Sequence, residues 1–283
     1  MEWWEVPSDG KADLHTHTTF SDGALTPAQL VKKAKQAGLA AISITDHDSV
    51  NGLDEAIAAG KDLDVAVVPG VELSATFNRK EVHILGYFVD HDDKQFQIFL
   101  SELRGERIRR AERIVQRLNQ MNIPITMNSV LKQAGDGAVG RPHIAAAMVT
   151  EGLAPSYQSV FDDYIGNGRP AYERKAEVSP EKTVHLIADA GGLSFLAHPG
   201  RSLDDNEVHQ LVKAGIDGIE VVHPSHSPWT LQHFHDITSE YFLLECGGSD
   251  FHGGLRGDDD LFGQVTITAA TVEIMRRRLF SHH

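Results

Sequence analysis

"DLHTHTTFSDG", residues 13–23, sets His15 and His17 two apart and Asp22 five further on. If the strand before them runs on, alternation sends both imidazoles to one face. Two imidazoles with a nearby carboxylate are half of a metal site, or an ordinary polar loop, and the surrounding chain has to decide. Outward from this stretch, strand and helix signals alternate. "LTPAQLVKKAKQAGL" has Thr26 as N-cap, Pro27 at the first helical position and Gly38 as a stop. "AAISIT" (40–45) reads as a buried strand, a short helix near 52–62 leads to "VAVV" (65–68), and "EVHILGYF" (81–88) is the next strand. Further on, "SPEKTVHLIADAGG" repeats a Ser-Pro start and a Gly stop before "LSFLA" (193–197). A helix around 205–214 precedes "GIEVV" (218–222), and "SPWTLQHFHDITSEY" precedes "FLLEC" (242–246), with a closing helix near 271–281. About seven strands separated by helices predict an α/β fold, a parallel barrel or open sheet. Residues 93–175 break the rhythm, with one long helix (94–121) and shorter helical pieces. They are expected to form a mainly α-helical insertion.

Composition narrows the function. With 41% hydrophobic and 23% charged residues in 283, the chain is that of a soluble globular protein with a real core. No apolar run approaches the roughly 18–20 residues of a membrane span. The opening "MEWWEVPSDGKA" lacks the basic start and apolar middle of a secretory leader. Cys246 is the lone cysteine, which excludes an intrachain disulfide and a thiolate metal site. A cytoplasmic location is therefore expected, with no membrane partner. A formal charge of −14 argues against adhesion to long duplex DNA, which needs many Lys and Arg contacts to phosphate. It leaves room for a small phosphorylated substrate in a local basic pocket.

The placing of polar residues is the stronger signal. "DLHTH" ends the first predicted strand, "ITDHD" the second, "PGVE" the third, "LAHPGR" the fifth, "VVHPSH" the sixth and "GGSDFH" the seventh, while His83 lies on the fourth. Active sites of α/β barrels gather at the C-terminal ends of their strands. Taken singly, each residue has an ordinary explanation, such as a hydrogen-bonded histidine or a turn aspartate. Taken together, His15, His17, Asp22, His47, Glu72, His83, His198, Asp250 and His252 would be costly to bury without a cation. Imidazole and carboxylate without thiolate suit Mn, Fe or Zn. Nine donors exceed what one ion takes, so two or three divalent ions are expected, with Glu72 as a shared bridge.

The ordered set "DLHTH", "TDHD", "GVE", "HPG" and "GSDFH" resembles the polymerase-and-histidinol-phosphatase (PHP) family of metal-dependent phosphoesterases. That resemblance implies a distorted (β/α)7 barrel over residues 12–92 and 176–281, with 93–175 as a substrate lid, and a trinuclear centre in which Mn is favoured. It assigns one ion to His15, His17, Glu72 and Asp250, a second to Glu72, His83 and His198, and a third to Asp22, His47 and His252. Asp22 stands where many family members have histidine. With "GRPHI", "HPGR" and "SHS" it is similar to the branch that acts on nucleotides. Small enzymes of that branch remove the 3′-phosphate of nucleoside 3′,5′-bisphosphates, and some trim short RNA to 5′-mononucleotides. The expected activity is that hydrolysis, with short 5′-phosphorylated RNA as a further substrate. A histidinol phosphatase and a non-catalytic scaffold are the alternatives. An amide-hydrolysing counterpart would need a bridging group such as a carboxylated lysine, and no predicted strand end offers a lysine.

Substrate contacts should come from arginine, whose planar fork matches phosphate oxygens. Arg201 follows "HPG"; Arg141 and His143 sit in the insertion; Arg104 and Arg107, three apart, share a face of the long helix. His226 is expected to contact phosphate or protonate the leaving oxygen, with His223 a weaker candidate, so Arg201 and His226 are the catalytic expectations beside the metals. Asp46 is expected to orient an imidazole. The oligomeric state is left open by the sequence.

Overall fold

A computed structural model describes residues 9–201 and 203–280. Among these residues eight strands form one sheet: β1 (Lys11–Asp13), β2 (Leu39–Ile44), β3 (Ala66–Phe77), β4 (Lys80–Tyr87), β5 (Leu193–Leu196), β6 (Gly218–Val222), β7 (Leu244–Gly247) and β8 (Ile267–Thr268). Their order is β7-β6-β5-β4-β3-β2-β1-β8. The sheet curves until its sides meet: Leu14 N–H donates to the Gly247 carbonyl at 3.1 Å, and Thr16 forms a parallel bridge with Phe251. The result is the expected α/β barrel, nearly closed.

Two features depart from a regular barrel of seven parallel strands. The short β8 pairs antiparallel with β1, adding an eighth strand. β4 runs antiparallel to both β3 and β5. The cause of the second is local. β3 does not stop at residue 68 but continues to Phe77 and turns back through Asn78 and Arg79, at φ 49° and 64°. Two consecutive positive φ angles match the twist of a tight hairpin. Glu72 is therefore a mid-strand residue rather than a strand end. The parallel pairing of β2 with β3 finishes at Ile44 and Pro69, and Glu72 then takes a separate bridge to His47. β1 likewise ends at Asp13, so His15 and His17 lie on the extended segment beyond it.

The helices largely follow the predicted signals. α1 (Pro27–Gln36) starts at a Thr26 capping box, α2 is Leu53–Leu63, and α3 is Lys94–Gln120. α4 (Met127–Ala134), α5 (Arg141–Thr150) and α6 (Tyr157–Val160) follow, the last running into a π-helical turn, Phe161–Ile165. α7 (Pro180–Asp189) and α9 (Pro228–Tyr241) start at the side-chain caps Ser179 and Ser227. α8 is Asp205–Lys213 and α10 Ala270–Phe280. The first turns of α3 bury Phe96, Phe99, Leu100 and Leu103 in the main core outside the barrel. Its second half, with Ala111, Ile114 and Leu118, belongs to another core with Val130, Ile144 and Met148 of α4 and α5. One helix thus fixes the helical segment against the barrel. Among the described residues, no helix is long and apolar enough to cross a membrane.

Candidate metal centre and cleft

The nine side chains singled out from the sequence converge around Glu72, itself 1% exposed. His83 Nδ1 and His198 Nε2 lie 2.7 and 3.1 Å from its Oε1. His47 Nδ1, His17 Nε2 and His15 Nε2 lie 3.0, 3.3 and 3.4 Å from its Oε2. Asp250 Oδ1 faces the same two rings, 3.4 Å from His15 and 3.2 Å from His17. Asp22 Oδ1 is 3.4 Å from His252 Nε2 and 4.0 Å from His47 Nε2. Donor atoms therefore gather in three groups: His15, His17 and Asp250; His47, Glu72 and His83; and His17, Asp22, His47 and His252. The number of groups matches the expected partition into three but the membership differs: His17 and His47 each stand in two groups, Glu72 stands in one, and His198 reaches the centre through Glu72 Oε1 instead of belonging to a group.

Whether a cation fits can be judged from the atoms themselves. His15 Nε2, His17 Nε2, Asp22 Oδ1, His47 Nδ1, Glu72 Oε2, His83 Nδ1 and His252 Nε2 are buried without a hydrogen-bond partner. Orphaned buried polar atoms are costly and rare, and seven pointing at one place need a common partner. Ligands held about 2.0–2.2 Å from a divalent ion stand about 3.0–3.4 Å apart, close to most of the spacings here. The carboxylates also draw positive charge inward. Burial lowers the His17 pKa, but Asp250 and Glu72 more than offset it and raise it to about 9. Burial would raise the Glu72 carboxyl, but the His47, His83 and His15 rings hold it well below the usual carboxylate range. A divalent cation answers the same demand, with release of protons. The residues present fit a metal centre.

Behind the donors stand residues that aim them. Glu220 on β6, fully buried, takes His15 Nδ1 at 2.8 Å and the His198 backbone N–H at 2.7 Å. Glu81 on β4 lies 3.1 Å from His83 Nε2, the nitrogen turned away from Glu72. Asp46 accepts from Thr18 N and Oγ1 and from Ser21 Oγ, and that hydroxyl lies 3.3 Å from His17 Nδ1. Its hold on an imidazole is therefore indirect, and on His17 rather than its neighbour His47. Of these, Glu220 and Glu81 went unread in the sequence, although an ionisable residue inside the apolar run "GIEVV" was a usable signal.

Beside the centre opens a cleft of ≈ 410 Å³, whose lining includes Asp22, His47 and His83 together with Arg107, Arg110, Arg141, Lys175 and Arg256. Its size suits a small ligand. Arg141, expected here, reaches Asn167 Oδ1 at 3.0 Å with its guanidinium over the Phe161 and Tyr172 rings. Arg107 edges the cleft but gives Nε to Asp48 Oδ2 (2.5 Å) and Nη2 to Ser74 Oγ (3.0 Å). Arg104 turns to the Asp48 carbonyl at 3.2 Å and does not wall the cleft. Both expected substrate arginines of α3 are thus held by Asp48 of the β2–α2 loop; Arg104 lies away from the cleft, which corrects its expected role, while Arg107 still lines it. The next residue along their face, Arg110, does line the cleft, and its buried Nη2 has no hydrogen-bond partner. His143 accepts the Gly140 N–H at Nδ1 (3.0 Å), closing the start of α5, and does not wall the cleft either. Lys175 and Arg256, both unread in the sequence, come from the end of the helical segment and from the loop after β7; Arg256 grips Asp22 Oδ2 at 2.5 Å.

The two histidines of "VVHPSH" differ in their partners. His226 Nδ1 meets the Val221 carbonyl at 2.9 Å and its Nε2 accepts the Gly200 N–H at 3.3 Å, so both nitrogens are committed to backbone. It staples two loops rather than facing a leaving group. His223 is buried and places Nε2 3.4 Å from Asp250 Oδ2. Arg201 closes the 3-10 turn Pro199–Arg201 directly after His198, and its side chain lies outside the described residues.

A barrel with imidazoles and carboxylates massed at one end, beside a cationic cleft, defines a metal-dependent phosphoester hydrolase. Residues 13–174 match the PHP domain model, and the chain belongs to the PHP family. It is 32% identical over 255 residues to the 3′,5′-nucleoside bisphosphate phosphatase of Chromobacterium violaceum, covering 88% of this chain and 90% of that one. To the 5′-3′ exoribonuclease Rnm of Escherichia coli K12 it is 33% identical over 249 residues, 85% of this chain and 84% of the other. A crystal structure from Bifidobacterium adolescentis, described as that of a metal-dependent phosphoesterase, superimposes with a TM-score of 0.88 at 32% identity, over 97% of this chain and 98% of that one.

Proposed function

We propose that this enzyme hydrolyses the 3′-phosphate ester of a nucleoside 3′,5′-bisphosphate, giving a 5′-mononucleotide and phosphate, and accepts short 5′-phosphorylated RNA at the same site. The observation that carries the reading is the cationic wall. Lys175 Nζ, Arg141 Nη2 and Arg110 Nη2 stand 2.5, 3.8 and 4.0 Å from the Glu81 carboxylate, three cations around one anion that also serves His83. In a chain of net charge −14 such a local surplus calls for an anion that the metal centre does not itself consume. A second, non-reacting phosphate on the substrate answers it. The names of the Chromobacterium and Escherichia relatives support a nucleotide or RNA substrate.

On this reading His15, His17, Asp22, His47, Glu72, His83, His198, Asp250 and His252 hold two or three divalent ions, with Mn favoured over Fe or Zn. Such ions lower the pKa of water toward neutrality and stabilise charge on phosphoryl oxygens. The chain's own groups do the remainder. Glu220 and Glu81 keep the His15 and His83 rings aimed. Arg110, Arg141 and Lys175 grip the distal phosphate, and residues 93–175 act as the lid that carries them. His223, with Nε2 3.4 Å from Asp250 Oδ2, is assigned a contact to the ester, and Arg201, on the turn after His198, is assigned to the rim as a phosphate contact. The enzyme works in the cytoplasm.

The test is to load the protein with Mn²⁺ and separate products from adenosine 3′,5′-bisphosphate, histidinol phosphate and a 5′-phosphorylated oligoribonucleotide. Fast release of 5′-AMP and phosphate from the bisphosphate is expected. Turnover of histidinol phosphate alone would refute the substrate assignment, and inertness in every arm with metal bound would favour a scaffold.

A further inference from the structure

The main cleft has a smaller neighbour. A groove of ≈ 160 Å³ shares Glu81, His83 and Arg141 with it and runs past His198 and Pro199 to Leu203. The two meet over His83, so a substrate lying across the metal centre has room on both sides. Pro199, which lines the groove, opens the turn Pro199–Arg201, and the start of α9 packs against that turn: a Cβ built on Gly200 would stand 2.9 Å from the Thr230 methyl carbon. The residue before Thr230 is Trp229, 73% exposed. Tryptophan is a residue whose large apolar ring is highly buried on average, so an open one next in the chain to a residue that packs on this turn is informative. Its ring also has a partner. It lies parallel to His233, at 5° and 5.2 Å between centroids, and His233 is held by Asp205 at 2.9 Å. One face of the indole is thereby set against the protein and the other is turned to solvent.

We infer that the smaller groove carries the part of an oligonucleotide beyond the cleaved ester, and that Trp229 is the platform on which a base of that part stacks. The inference rests on the proposed function and deepens it. A mononucleotide bisphosphate occupies the main cleft and the metal centre alone, whereas an RNA chain continues to Trp229. Hydrolysis is balanced for both: water adds across the ester, the 3′-oxygen leaves as a hydroxyl with one proton, and the phosphoryl group departs as free phosphate or as the new 5′-phosphate of the shortened chain. Stacking on an aromatic ring tolerates any base, which suits an enzyme that moves along RNA one nucleotide at a time.

The experiment compares kcat/KM for adenosine 3′,5′-bisphosphate and for 5′-phosphorylated tetraadenylate in wild type, Trp229→Ala and Trp229→Phe. Trp229→Ala is expected to lower the tetranucleotide value about 10-fold or more relative to the bisphosphate, mainly through KM, and Trp229→Phe to keep most of it. Replacing the downstream bases by abasic residues should reproduce the loss in the wild type. An equal loss on both substrates, or none on either, overturns the platform while leaving the proposed function standing; a wild type inert on both substrates overturns that function itself. Binding gives a reading without turnover. In the Asp250→Asn protein, tetraadenylate should quench tryptophan fluorescence and the bisphosphate should not, and adding Trp229→Phe should remove the quench. A quench that survives that change also overturns the inference.

Discussion

Replacing Glu220 by Gln alters one atom and no volume, yet it should weaken the metal centre. Glu220 is fully buried and stands outside the three donor groups; it accepts from His15 Nδ1 at 2.8 Å and from the His198 backbone N–H at 2.7 Å. A carboxylate offers an acceptor to each donor. A glutamine offers one oxygen and an NH₂, so one of the two donors must face another donor. A hydrogen bond to a charged group contributes about 1.5–3 kcal/mol, and the orphaned N–H is buried. The His15 ring, freed at Nδ1, also loses the partner that aims Nε2 at Glu72 and Asp250. Outer partners of metal-bound histidines are worth about 10–100-fold in affinity or activity, or roughly 1.4–2.7 kcal/mol at 1.36 kcal/mol per factor of ten. Mn²⁺ titration of the chelator-stripped protein reads this directly, with circular dichroism to show that the fold persists. Metal affinity and turnover both within about twofold of wild type would refute the argument that Glu220 aims the centre.

Other positions separate the roles of neighbouring residues. Arg110→Ala should raise KM for adenosine 3′,5′-bisphosphate about 10-fold or more and leave kcat nearly unchanged, because the distal phosphate is held alike in ground and transition states; an equal effect on adenosine 3′-monophosphate would count against that. Arg107→Ala leaves the buried Asp48 carboxylate without its 2.5 Å partner, and should cost about 3–5 kcal/mol of stability in urea unfolding. His223→Ala should lower kcat far more than His226→Ala, which releases only a loop staple, and pre-steady-state phosphate release distinguishes the two.

How far the sequence led can be traced residue by residue. The nine candidate donors could be singled out because they fall at or near strand signals, and position along a barrel strand is itself chemical information; the structure brings them together around Glu72. The antiparallel hairpin was not. Its turn, Asn78–Arg79, lacks the glycine that usually marks two positive φ angles, so β3 was expected to end nine residues early. The arginines of α3 were read as one face without a way to tell which of them the barrel would claim. Arg104 and Arg107 are taken up by the Asp48 loop while Arg110, bonded to the Glu173 carbonyl, keeps Nη2 toward Glu81 of the cleft, a difference set by how α3 lies against the sheet. Lys175 and Arg256 reach the cleft from segments with no regular structure, where spacing carries no signal.

The central claim is that these side chains form a metal centre at the cleft. The direct measurement is anomalous diffraction at the manganese edge from crystals grown with Mn²⁺. Two or three peaks among His15, His17, Asp22, His47, Glu72, His83, His198, Asp250 and His252 are predicted. No peak there, in a protein that still hydrolyses its substrate at full rate, would contradict the account.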